Sequence, residues 1–138
     1  MGRVDTTLTI TNAIDQERAT DGEIEAATVR SVALNGVLVD TGATFLSLPA
    51  DLIARLGLRF LRDLTIGTAA GPQQARLFRN AELAVMGRRA TVDVLELPGG
   101  TQPLLGVIPM EALGVEPDLM TRQLRLLPDG PTDTYVTA

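Results

Sequence analysis

Few side chains in this chain can do chemistry, and their types narrow the choices quickly. There is no His and no Cys. Ser-His and Cys-His nucleophile systems, the ordinary zinc sites and all disulfides are therefore excluded. Catalysis has to rest on carboxylates, basic residues, Ser/Thr or Tyr. Among the carboxylates Asp40 stands apart, because residues 37–44 read Val-Leu-Val-Asp-Thr-Gly-Ala-Thr. Three aliphatic residues form a buried strand that runs straight into the acid. A carboxylate so placed is costly to bury unless it is paired, hydrogen-bonded or neutralised. The small residues after it leave room for another molecule's backbone to approach. A duller reading makes Asp40 and Thr41 a turn that leaves a sheet. Asp51 and Glu111 read as charges at helix starts, where the dipole favours an anion.

The elements around Asp40 follow from pattern. Residues 5–12 alternate Leu and Ile with Thr and predict a strand, and the polar, acidic stretch 13–24 predicts a loop. Residues 26–34 predict a second strand, and Asn35-Gly36 is a hairpin signal that delivers residues 37–39 to Asp40. Pro49 opens a two-turn helix whose Leu52, Ile53 and Leu56 share one face, and Gly57 closes it. Residues 61–79 predict a hairpin tipped by Thr68-Ala69-Ala70-Gly71-Pro72, small residues with almost nothing to pack. Strands are expected at 81–86 and 90–97, joined by Gly87-Arg88-Arg89, with Pro98-Gly99-Gly100 as the loop beyond.

Residues 103–115 then repeat the grammar of the first half: aliphatic strand, Gly, aliphatic-Pro, short helix, Leu-Gly-aliphatic. Leu48-Pro49 through Gly57 matches Ile108-Pro109 through Gly114, with Pro opening and Gly closing each helix. In this weak duplication Asp40 precedes Gly42, while Leu104 holds the matching place before Gly106. Residues 122–127 predict a last strand, and the Pro-, Gly- and Thr-rich tail beyond 128 is expected to be mobile.

A chain of 138 residues corresponds to one domain, here 1–128, with 129–138 as a flexible tail. Hydrophobic residues make up 45% but aromatic ones only 3%, which suits a β-rich interior of Val, Leu and Ile. The net charge of −5 and the lack of a basic cluster argue against a nucleic-acid partner. No apolar run reaches the ~18 residues of a membrane span, and no signal-peptide pattern is present. The expectation is a soluble chain, cytoplasmic rather than secreted, that needs no metal and no cofactor.

The Asp-Thr-Gly strand end, the Gly-tipped hairpin, the Leu-Leu-Gly strand and the helix after it occur in an order that resembles the retroviral-type, single-lobe aspartic proteases. It resembles in particular the small bacterial members of that clan, and the likeness covers roughly residues 26–127. It implies an all-β, closed-barrel-like acid-protease lobe with two short helices, acting as a homodimer on a peptide or protein substrate. Asp40 would be the catalytic acid, and Thr41 would hydrogen-bond across to the partner chain. Gly42 would hold the substrate backbone, while Leu38, Ala43 and Leu104 line side-chain pockets. Gly67, Thr68, Ala69, Ala70, Gly71 and Pro72 would form a flap. Gly106 would let two crossing segments pack behind the aspartate. Two Asp40 carboxylates brought together share one proton; the ionised one activates water and the protonated one assists the carbonyl oxygen.

The pattern also departs from the retroviral one. Thr44-Phe45 stands where acids often hold substrate and interface arginines, and Val107-Ile108 replaces the Arg-Asp or Arg-Asn that often follows the second Gly. The acid–arginine network that braces viral dimers is thus not implied. Leu38, Ala43 and Leu104 also suit a core, Gly71 a plain hairpin turn, and Gly67 the relief of a strand. Two other functions stay open: a dimeric peptide-binding module that does not cut, and a structural β-domain within an assembly.

Overall fold

A computed structural model describes residues 3–128; the expected flexible tail, 129–138, lies outside the described residues. Nine strands and three α-helices follow in the order β1 (Asp5–Asn12), α1 (Ala13–Thr20), β2 (Ser31–Val39), β3 (Leu46–Pro49), α2 (Ala50–Leu56), β4 (Arg59–Thr68), β5 (Gly71–Val85), β6 (Arg88–Leu97), β7 (Leu104–Leu105), α3 (Val107–Leu113), β8 (Val115–Asp118) and β9 (Gln123–Leu126). A seven-stranded sheet runs β1-β2-β7-β3-β6-β5-β4, and β1 pairs with β5 as well. A two-stranded sheet joins β8 and β9. No helix among the described residues is long and apolar enough to cross a membrane.

Alternation along the strands builds the core. Leu8 and Ile10 of β1, Val37 and Val39 of β2, Leu46 and Leu48 of β3 and Leu105 of β7 all enter one buried cluster. Leu56 of α2 and Met110 and Leu113 of α3 close over it. Residues between these on each strand face the other way. There Ala75, Leu77 and Leu95 form a smaller cluster, packed against Phe45, Leu64 and Ile66 beneath the β4–β5 hairpin.

Several expectations are corrected by this structure. Residues 13–24 are not all loop, since Ala13–Thr20 is a helix, making three α-helices rather than two. Its buried residue is Asp15, so it shows no apolar stripe. It is held by polar partners instead. The Asn12 side chain caps it by accepting from Asp15 N at 3.0 Å and donates to Leu56 O at 2.8 Å, tying the start of α1 to the end of α2. Asp15 accepts from Arg30 N at 3.0 Å, Nε at 2.8 Å and Nη2 at 3.0 Å. These Arg30 hydrogen bonds hold the Asp15 carboxyl below the usual range, against the opposing effect of burial.

Residues 26–28 form a single 3-10 turn, and the strand starts at Ser31. Asn35-Gly36 makes no hairpin. Leu8 pairs with Leu34 and Thr6 with Val37, so β2 spends one extra residue there and runs on as a bulged strand, with Gly36 at φ +69. The return arm of the hairpin expected over 61–79 and the strand expected at 81–86 are one strand, β5, with an irregularity between Phe78 and Ala81 and Asn80 at φ +65. Met86 and Gly87, both at positive φ, form the turn placed at 87–89.

The duplication holds in its caps and shifts in its prolines. Gly57 and Gly114 both close seven-residue helices in the left-handed conformation. Pro49 precedes α2 as its N-cap, whereas Gly106 caps α3 and Pro109 lies inside it. A proline in the first turn removes no helical hydrogen bond, so both placements are tolerated. The last strand pairs within the chain, Val115 with Leu126 and Asp118 with Gln123.

Candidate active site

Two strand ends lie side by side to build the site. β2 and β7 run parallel, with Leu38 beside Leu104 and Val39 beside Leu105. Asp40 N continues this ladder by donating to Leu105 O at 2.9 Å. Beyond the aspartate the chain turns tightly: Ala43 N donates to Asp40 O at 3.1 Å, and Gly42 N donates to Asp40 Oδ1 at 2.8 Å. The carboxylate is thereby fixed by its own loop, half-buried and without an ion pair among the described residues.

A second contact joins the loop to the start of α3. Val107 N donates to Ala43 O and Ile108 N to Thr44 O, both at 2.9 Å. Gly106 sits where these backbones meet. A Cβ there would lie 2.5 Å from Phe45 O and 2.6 Å from Ala43 O. Its φ of −95° is ordinary, so the demand for glycine comes from close approach alone.

Val37 and Val39 face the core, so Leu38 and Asp40 project from the opposite face. Leu104 is the register partner of both Leu38 and Ser47, and Ser47 that of Leu95. Leu38, Leu104, Ser47 and Leu95 thus form one row across four strands, with Asp40 one step beyond Leu38. Against this face opens a cleft of about 480 Å³, lined among others by Gly42, Ala43, Ser47, Leu64, Ile66 and Leu104.

Of the residues singled out in the sequence, Gly42, Ala43, Leu104 and Gly67 line the cleft. Asp40 and Thr41 adjoin it through Gly42, and Thr41 is exposed. Leu38 lies beside Leu104 in the ladder but is not among the lining residues. Residues 68–72 lie at the end of the β4–β5 hairpin, outside the lining set. Its tip is held by Thr68 Oγ1, which donates to Gly71 O at 2.7 Å and accepts from Ala70 N at 3.2 Å. Gly71 has φ +105, a conformation that side chains resist. Sequence reasoning missed Phe45, Ser47, Leu64, Ile66, Leu95 and Leu97. Alternation in Leu46-Ser47-Leu48 and Leu64-Thr65-Ile66 carried the signal, but only pairing shows which face meets the cleft.

Among the described residues no group of three or more Asp and Glu is placed to hold a metal ion. The arrangement offers one carboxylate, held by a backbone N–H, beside a cleft whose walls are mostly aliphatic and small residues. Comparison with known families agrees with this geometry. Residues 31–111 match the family described as "gag-polyprotein putative aspartyl protease", a span that contains Asp40, the β4–β5 hairpin and Gly106. No curated protein matches the chain. The match covers more than half of the chain, which belongs to this retropepsin-like aspartyl protease family.

Proposed function

We propose that the protein is an aspartic endopeptidase whose active site forms between two copies of a barrel-like lobe, each supplying one Asp40. The observation that carries this reading is Asp40 itself, fixed by Gly42 N at the edge of the cleft. One copy brings only one such acid, because Leu104 occupies the corresponding strand position in the second half. A twofold axis beside the Asp40 loop supplies the other.

In the dimer the two carboxylates share a proton. The ionised one takes a proton from water, which attacks the peptide carbonyl, and the protonated one donates to the carbonyl oxygen. The Thr41 hydroxyl, without a hydrogen bond among the described residues, is free to reach across the axis. Gly42 gives the substrate backbone room to approach, and the 67–72 tip closes over it as a flap. Leu119 at 65% and Met120 at 94% exposure, with Leu126 at 45%, supply apolar surface on the β8–β9 hairpin for joining the copies. β1 is a weaker candidate for that role, since it already pairs with both β2 and β5.

The test is hydrolysis of a peptide library at several pH values by wild type and by Asp40→Asn. Cleavage by the wild type alone is expected, with matching circular dichroism for the two proteins. Equal cleavage by a folded Asp40→Asn protein would end the proposal. Peptide binding without hydrolysis by either would leave a peptide-binding module.

A further inference from the structure

Ser47 is out of keeping with its surroundings. It is 2% exposed and lies in β3 between Leu46 and Leu48, both of which enter the main core. Strand alternation turns Ser47 to the opposite face, where it lines the cleft among Phe45, Leu64, Ile66, Leu95 and Leu104. Its hydroxyl has no hydrogen-bond partner among the described residues. The cleft's other hydroxyl residues differ. Thr44 and Thr65 are exposed, and Thr65 Oγ1 accepts from Gln74 Nε2 at 3.1 Å. A buried hydroxyl without a partner is unfavourable, and an apolar residue of similar size would fill this place better.

We propose that Ser47 is a specificity-determining residue: its hydroxyl, set in the apolar floor of the cleft, selects a substrate side chain bearing a hydroxyl or amide over its aliphatic isostere. This rests on reading the cleft as the peptide site. An aliphatic side chain seated there leaves the hydroxyl buried and unsatisfied, whereas a hydrogen-bonding one supplies the missing partner. A site with such a group discriminates chiefly by penalising the analogue that cannot satisfy it. The preference at that subsite is expected to be roughly 3- to 20-fold.

The experiment uses a peptide set in which each position in turn carries Thr or Val, and Asn or Leu. Binding to Asp40→Asn is measured by fluorescence anisotropy, and kcat/KM with wild type, each with and without Ser47→Ala. One position should favour Thr over Val and Asn over Leu, and Ser47→Ala should abolish that preference while melting no lower than its parent. Preference in binding with no cleavage by wild type would support the role of Ser47 and remove the protease reading. Cleavage without such a preference would overturn this proposal and leave the protease reading intact. A preference that survives Ser47→Ala, or no peptide binding at all, would overturn it too.

Discussion

Replacing Gly106 with alanine would set a methyl group 2.5 Å from Phe45 O, 2.6 Å from Ala43 O and 2.9 Å from Ala43 C. All three are backbone atoms, so no side chain can swing aside. Ordinary contact requires the two segments to part by roughly 1 Å. The same segments are joined by Val107 N to Ala43 O and Ile108 N to Thr44 O, each at 2.9 Å, and such a shift takes both beyond good geometry. Overpacking alone costs about 1–3 kcal/mol and each of the two weakened hydrogen bonds about 1 kcal/mol, which places the loss between about 3 and 5 kcal/mol. At about 3–5 °C per kcal/mol for a chain of this size, the melting midpoint should fall by roughly 10 °C or more. Urea denaturation of Gly106→Ala beside Gly67→Ala is the assay. Gly67 has nothing within 4 Å of its would-be Cβ, so its variant should stay within about 0.5 kcal/mol of wild type. If Gly106→Ala did the same, the close approach of the two segments as described would be wrong.

Three further outcomes follow. Arg30 lowers the pKa of Asp15, so the ionised carboxylate stabilises the fold above the unfolded value and that contribution fades as pH falls through the folded one. Asp15→Asn should cost about 2–3 kcal/mol at pH 7, and the gap should narrow below about pH 4; parallel stability curves down to pH 2 would contradict this. Asn12→Ala removes the cap of α1 and the donor to Leu56 O, and should cost about 2–3 kcal/mol by chemical denaturation, a loss under 0.5 kcal/mol arguing against it. Gly71→Val strains a residue at φ +105 in an otherwise open tip, and should lower kcat/KM more than it lowers the melting midpoint; normal cleavage, or a tip as protected as the core in hydrogen exchange, would rule out the flap.

The parts of the fold that were legible in the sequence are those that local chemistry dictates. The run into Asp40, the helix from Ala50 to its closing Gly57, the hairpin around residues 68–72 and the Leu104-Leu105-Gly106 segment all announce themselves through periodicity or caps. What stayed hidden depends on distant partners. α1 was illegible because its anchors are Asn12, Asp15 and Arg30, polar residues whose value comes from contacts up to 45 positions away in sequence. Asn35-Gly36 has the composition of a hairpin turn, yet β1 pairs with residues on both sides of it, and the pair is absorbed as a bulge. Within the site, the carboxylate and its small neighbours could be read directly. The cleft walls could not, since Ser47, Leu64 and Leu95 meet only through the pairing of β3, β4, β5 and β6.

The most direct measurement of a dyad shared between two Asp40 residues is the peptidase rate of wild-type chains mixed with increasing fractions of Asp40→Asn, total protein held well above the dimer constant. If each site needs one Asp40 from each copy, activity should fall as the square of the wild-type fraction, to about one quarter in an equal mixture. A linear fall to about one half, with exchange between copies verified independently, would mean that each chain works alone and would contradict the account.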